Sequence, residues 1–498
     1  MNMKYLKSTL LTLLVISVFS CSKDDDNPNP GNQSPDSFNL ITVPDGATDV
    51  DLNPTFSWEP AIDPDGDAVS YDVYLDTENP PTTVLASDLS DITYTLQDNL
   101  NAGETYYWAV MAKDGNQGET LSNVASFVTL DQPAPIILSC DSFQRNNADA
   151  ITLLGNRNSD VDYIIDCVTS VELDLEIEPG VVIEFADGAG MKIRDDGSLN
   201  AVGSQNDPII LSATTKIRGA WKGILSSSES VKNQFEYVNI EYAGDGGLTS
   251  NSEPASLILA SEAYFRLNNV SIKNGLNNGI AATASNYNVE INNSIITGCD
   301  IPIFTNVNTA ENISGGSFTG NTTDVIRLVS GSGANVMDAS TTWKELGVPY
   351  RMASDLVINN GAKFTIEPGV IIEFEDTKGI EIDKLFDEGS AIIAVGTEAK
   401  PITFTGVTKV SGAWSTISVR RTTSVQNKID NVLIEYAGGA GAGGAIEMWV
   451  DPVLSVTNTT FKDIDACALY NRYGPTNPNL TEGDNTLVNV SGGYMCHD

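Results

Sequence analysis

The chain has 498 residues, with 27 basic against 66 acidic side chains and a net charge of −39. That balance excludes nucleic acid as a partner, because such binding depends on Lys and Arg at phosphates. It also means that an acidic polysaccharide could bind only through a local basic patch or a bridging cation such as calcium. The one histidine, His497, excludes Ser-His-Asp triads, Cys-His pairs and histidine-based zinc sites, leaving Asp, Glu, Lys, Arg and Tyr for any catalysis.

The first thirty residues read as an address. Lys4 and Lys7 precede the apolar run Leu10 to Phe19, which has the length of a signal-peptide core and is short for a membrane span. The run ends at Val18-Phe19-Ser20-Cys21. This resembles the lipobox of bacterial lipoproteins. The resemblance implies that residues 1–20 are a signal peptide and that the Cys21 thiol carries a diacylglycerol, with its freed amine acylated as well. Several acyl chains suit stable anchoring, since one gives only marginal attachment. The following Ser22-Lys23-Asp24-Asp25-Asp26 resembles the surface-export signal of Bacteroidota lipoproteins. It implies an outer-membrane protein exposed at the cell surface, with Lys23, Asp24, Asp25 and Asp26 as the signal; a solvated acidic spacer is the other reading. Residues 21–36 are acidic and then rich in Pro, Asn, Gly and Ser, and are expected to form a tether.

Residues 37–131 contain short alternating runs separated by turn signals, among them Thr55-Phe56-Ser57-Trp58, Ser70 to Leu75 and Thr105 to Ala112. Period-2 alternation at this spacing predicts an all-β sandwich. The phrases PTFSWEPAIDPDGDAVSYDVYL and Leu100 to Trp108 resemble fibronectin type III modules, whose family pattern places Trp58 in the core. In the same phrase Asp63, Asp65 and Asp67 alternate, a spacing that suits either calcium or an acidic turn bent by Pro64 and Gly66.

Residues 133–498 hold a long duplication. Ile177 to Phe185, IEPGVVIEF, returns as Ile366 to Phe374, IEPGVIIEF, 189 residues on. Gly219-Ala220-Trp221 returns as Gly412-Ala413-Trp414, and Ile240 to Gly244 returns as Ile434 to Gly438. Two related copies are therefore expected, at about 160–340 and 345–498. A finer repeat of 24 and 22 residues runs from Leu267 through Ile291 to Ile313, each unit a short β run followed by Asn or Gly. That period without a helical pattern predicts a parallel β-helix of a dozen or more turns, at some 22–25 residues each. Ile183, Ile272, Ile295, Ile372 and Phe461 are expected to point inward. The same phrases, with Gly197 to Gly203, Asp207 to Leu211 and Trp221 to Ile224, resemble the right-handed parallel β-helices of the pectin-lyase-like group. The fold class is thus all-β, a sandwich followed by a right-handed parallel β-helix.

That architecture hosts lyases, hydrolases and adhesins, so it does not name an activity. Arg194 with Asp195-Asp196, Arg218, and Arg420-Arg421 are the charged groupings considered. Arg194 and Arg218 become Asp383 and Ser411 in the second copy. No residue is assigned as catalytic or as a metal ligand. Trp221 and Trp414, and likewise Tyr242 and Tyr436, read as packing residues rather than sugar platforms. The resulting expectation is a lipid-anchored display or binding protein whose β-helix contacts a polysaccharide or a surface protein. A polysaccharide lyase or hydrolase and a structural envelope protein are the alternatives. No cofactor is required beyond the calcium considered above. Beyond Cys21, the cysteines Cys140, Cys167, Cys299, Cys467 and Cys496 are odd in number and contain no C-x-x-C motif.

Cys21→Ser is predicted to abolish fatty-acid labelling and to leave an unprocessed or soluble protein. Equal labelling of variant and wild type would remove the anchor.

Overall fold

The computed structural model describes residues 31–498 except 132–133, 146–147, 156–159, 195, 249–252, 261, 283–287, 331–334 and 384–388. Cys21, Lys23, Asp24, Asp25 and Asp26 lie outside the described residues. Two compact units, residues 1–132 and 133–498, divide the chain.

The first unit is a β-sandwich. Its larger sheet runs Ala47–Val50, Ala125–Thr129, Thr105–Lys113, Ser70–Asp76, Val84–Leu89, and Thr55–Ser57 pairs with Thr93–Thr95 on the other side. Alternation along these strands sends one set of side chains inward. Phe56, Trp58, Tyr71, Trp108 and Phe127 are buried there, with the Phe56 and Trp108 rings 4.7 Å apart. The expected tether is shorter than its composition suggests. Pro35 is buried, its carbonyl accepts a hydrogen bond from Thr120, and Asn32 Nδ2 donates to Asp114 Oδ2 at 2.6 Å. Residues 32–36 therefore pack on the sandwich, because backbone and amide groups find partners there without needing apolar area.

The second unit is a right-handed parallel β-helix. Among the described residues its longest sheet has thirteen strands, from Val168–Val171 to Thr486–Val490. Along this sheet Met191, Ile224, Leu257, Ile280, Ile303, Ile326, Tyr350, Ile372, Phe404, Ile434 and Phe461 register on one another and are at most 1 % exposed. Parallel pairing places like positions above one another, so columns of aliphatic and aromatic side chains fill the interior. Burying each such side chain contributes about 1.5–3 kcal/mol.

Two expectations need correction. Ile295 is 48 % exposed and Ile296 is the buried residue, since Ile272 registers on Ile296 and Ser271 on Ile295. With a side-chain period of two, that one-residue shift moves the side chain from core to solvent. Turn length also varies more than expected, from 20 residues between Tyr163 and Ile183 to 37 between Ile380 and Ile417. The long turns carry the loops that contain Trp221 and Trp414.

The duplication is not stacked face on face. Val182–Phe185 belongs to a seven-stranded sheet, whereas its counterpart Ile371–Phe374 belongs to the thirteen-stranded one. The second copy is thus turned by one face. Among the described residues only the long sheet crosses the junction; the other two faces end at Ile295–Thr297 and Ile313–Ser314 and restart at Asn335–Met337 and Thr341–Trp343.

Asparagine makes the bends as expected: Asn269, Asn274, Asn293, Asn431 and Asn458 have φ between 49° and 55°, the left-handed region. Cys140–Cys167 and Cys467–Cys496 are disulfides, and each spans about one turn at an end of the solenoid. End turns have a neighbour on one side only, so a cross-link there holds the positions most prone to fray. Cys299 is free and buried, and burial pushes its thiol up to about 11.

Ile296→Asp should destabilise the solenoid by about 3–5 kcal/mol, through an unpaired buried carboxylate. Ile295→Asp should cost less than about 0.5 kcal/mol. Equal losses in denaturant unfolding would refute this register.

Candidate functional site

The second copy carries a groove of about 300 Å³ on its outer surface. Its floor is the sheet formed by Ile380–Ile382, Ile417–Arg420, Gly444–Trp449 and Cys467–Asn471. Alternation turns every second side chain outward, and turn-on-turn register aligns them. Glu381, Ser418, Glu447 and Tyr470 form one row, and Arg420 and Trp449 are paired in the next. Arg472 follows the last of these strands. The groove rim includes Thr377, Ser415, Thr416 and the bend Ala440-Gly441-Ala442.

Trp449 lies between two guanidinium groups. The Arg420 group is 4.4 Å from its ring centroid and the Arg472 group 4.3 Å. A planar guanidinium stacks on an indole face and keeps its N–H groups free in its own plane. Those N–H groups reach acids on either side. Arg420 donates to Glu381 Oε1 at 3.0 Å and to Ser418 Oγ at 3.2 Å. Arg472 stands 4.0 Å from both Glu447 Oε1 and Asp498 Oδ2. Glu447 is 5 % exposed, and its oxygens take further bonds from Trp449 Nε1 at 3.2 Å and Gly443 N at 2.6 Å. The aromatic wall needs glycine: a Cβ on Gly443 would lie 2.6 Å from the Tyr470 ring. Tyr473 stands edge-on to Trp449 at 6.1 Å and is largely exposed.

Both faces of Trp449 are covered by arginine, so it is no free platform for a sugar. It holds two cations in fixed positions within a groove of hydroxyls and carboxylates. Such a site suits a carboxylated, hydroxyl-rich ligand that exchanges with the acids now facing the arginines.

The other sequence candidates have structural partners. Trp221 and Trp414 are fully buried, stacked on Phe185 and Phe374 at 4.0 and 4.4 Å, and donate to the carbonyls of Glu241 and Glu435. They fold their loops onto the core. Tyr242 and Tyr436 follow those carbonyls at φ of 60° and 65°, beneath Lys216 and Lys409. Arg218 ties its loop to the carbonyls of Gly275 and Leu276 and to Asp300. Arg194 is exposed, Asp196 faces Arg145 at 3.9 Å, and Asp195 lies outside the described residues. Arg421 sits at a left-handed bend and is exposed, so only Arg420 of the arginine pair enters the groove. In the sandwich, Asp63 Oδ1 accepts from the backbone of Asp65 and Asp67, Asp65 accepts from Gln33, and Asp67 accepts from Asn116. The Asp63 contacts close the turn, and the other two tie it to Gln33 and Asn116. Among the described residues no group of three or more His, Cys, Asp or Glu is placed to hold a metal ion.

Comparison with known proteins bears on the same region. A family model described as a pectate-lyase-like beta helix domain matches residues 335–447, which include Glu381, Ser418, Arg420 and Glu447. No curated protein matches the chain. Among solved structures it is similar to pectate lyase PelI from Erwinia chrysanthemi in complex with tetragalacturonic acid. There the identity is 10 %, with 82 % of this chain and 92 % of that one covered and a TM-score of 0.16. Pectate lyase Pel3 from Pectobacterium carotovorum is 12 % identical over 82 % and 92 % of the two chains, with a TM-score of 0.14. The fibronectin type-III domain of human fibronectin type III domain containing protein 3 is 21 % identical. It covers 22 % of this chain and 96 % of its own, with a TM-score of 0.17.

All six tryptophans are described, and five of them are fully buried; only Trp449 reaches the surface. Acrylamide should therefore quench one accessible component of the fluorescence, and Trp449→Phe should remove it. A variant quenched like wild type would place Trp449 elsewhere.

Proposed function

We propose that this chain is a lipid-anchored protein of the outer membrane, displayed at the cell surface, that binds an acidic glycan in the groove around Trp449. Cys21 carries the anchor, Lys23 and Asp24 to Asp26 direct export, and the remaining linker and the fibronectin type III-like sandwich act as spacer. The observation that carries the binding role is the pair Arg420 and Arg472, held on opposite faces of one indole. The groove lining also holds Asp355, Glu381 and Glu447, so an acidic polysaccharide would bind by placing its carboxylates on these two cations in exchange for their present acids. The matched pectate-lyase-like domain, which includes Arg420, supports a carbohydrate ligand.

A second reading is polysaccharide cleavage by elimination. Its support is that arginines and the carboxylates of Glu381 and Glu447 gather on neighbouring turns. An arginine would there neutralise the sugar carboxylate while a second group took the proton α to it, the double bond forming as the glycosidic C–O bond broke and its oxygen left with the departing sugar.

Calorimetry with tetragalacturonic acid and a neutral oligosaccharide of equal length tests both readings, with ultraviolet detection of unsaturated products. Binding of the acidic sugar alone is expected. Arg420→Met and Arg472→Met should each weaken it by about 10-fold or more, the worth of a charged hydrogen bond of about 1.5–3 kcal/mol. Equal binding of the neutral sugar, or arginine variants that bind like wild type, would reject the acidic-glycan reading. Unsaturated product lost with Arg420→Met would establish the lyase.

A further inference from the structure

The first copy contains the same outward ladder, and it is closed. Lys192, Leu225, Ile258 and Ala281 register on one another as Glu381, Ser418, Glu447 and Tyr470 do in the second copy. Ser227 and Ala260 stand where Arg420 and Trp449 stand. After Lys192, the polar and aromatic row of one copy is thus aliphatic in the other, and the Arg420–Trp449 pair is replaced by small residues. Leu225, Ala255, Ile258 and Ala281 are packed together under Leu248, which is 3 % exposed.

The loop that supplies Leu248 explains the difference. Gly244 and Gly438 are 194 residues apart, and Ala255 and Gly444 are 189 apart, so the second loop is five residues shorter. Its sequence, Gly438 to Gly443, is GGAGAG and offers no large side chain. At its end Gly443 and Gly444 leave the room that Tyr470 fills: a Cβ on Gly444 would lie 2.8 Å from the Tyr470 Cβ. In the first copy the corresponding pair is Ala255 and Ala281.

We infer that ligand recognition is confined to the second copy, one glycan per chain, and that the short loop 438–443 is the element that opens the site. This rests on the glycan reading above. The first copy fills its own ladder with Leu248 and serves as scaffold.

The test uses the full chain and a galacturonic acid tetramer. One variant replaces residues 438–443 by residues 244–254, which brings in Leu248, while Ser418, Arg420, Glu447, Trp449, Tyr470 and Arg472 remain. A control carries the same graft with Leu248→Gly. Thermal unfolding reports that each variant is folded. Wild type should bind one tetramer per chain, the control should still bind, and the loop variant should lose binding and shield Trp449 from acrylamide. A wild type that binds two tetramers, or a loop variant that binds like the control, overturns this inference and leaves glycan binding standing. A wild type that binds none removes the glycan reading and this inference with it.

Discussion

Parallel pairing of each turn with the next is the constraint on which the rest depends. It ties every side chain to the one a turn away, so a choice made inside the solenoid repeats as a column and a choice made outside repeats as a row. The interior accepts only residues that fill a shared column, hence the unbroken run of aliphatic and aromatic residues from Met191 to Phe461. The exterior is free to vary. Function can therefore be written on the outer rows at little cost to folding, provided the bends remain possible.

The same constraint explains why the most conspicuous repeated residues are structural. Trp221 and Trp414 sit in the longest turns, where an added loop would otherwise peel away from the column. Stacking on Phe185 and Phe374, with the indole N–H on a carbonyl of the following turn, returns the loop to the core. A residue kept in both copies serves what both copies need, which is closure of the turn. The groove depends instead on residues that differ between copies, since Trp449 replaces Ala260 and Arg420 replaces Ser227.

Legibility in the sequence follows that division. The solenoid was readable because column residues recur, as IEPGVVIEF and IEPGVIIEF do. The inward assignment of Ile295 was not, because Ile295 and Ile296 are both aliphatic and composition cannot distinguish the two phases of a two-residue period. The turn of the second copy by one face was also hidden, since rotation about the axis leaves the repeat unchanged. Of the candidate site only Arg420 was singled out, for the wrong reason, its adjacency to Arg421. Arg472, Glu381 and Glu447 lie 25 to 91 residues apart from one another or from Arg420, and only the register brings them together. The available signal was a break in the repeat: the second loop loses five residues where an apolar row turns polar.

The charge balance sharpens what the groove can recognise. A surface of net charge −39 repels an acidic polymer at long range, yet at physiological salt that repulsion fades over about 8 Å. Contacts within the groove are shorter than this and largely unscreened. Arg420 and Arg472 therefore act locally, against a distant field of opposite effect. Their present partners, Glu381 and Glu447, keep the cations compensated in the free protein and fix their planes. A ligand carboxylate must compete with those acids, so affinity depends on placing its charge and hydroxyls together. A lone carboxylate gains little by exchanging with a glutamate already there, whereas a sugar chain of the proposed kind would add contacts to Thr377, Ser415 and Thr416 along the rim. On that proposal, the competition would favour a carboxylated glycan over a simple anion.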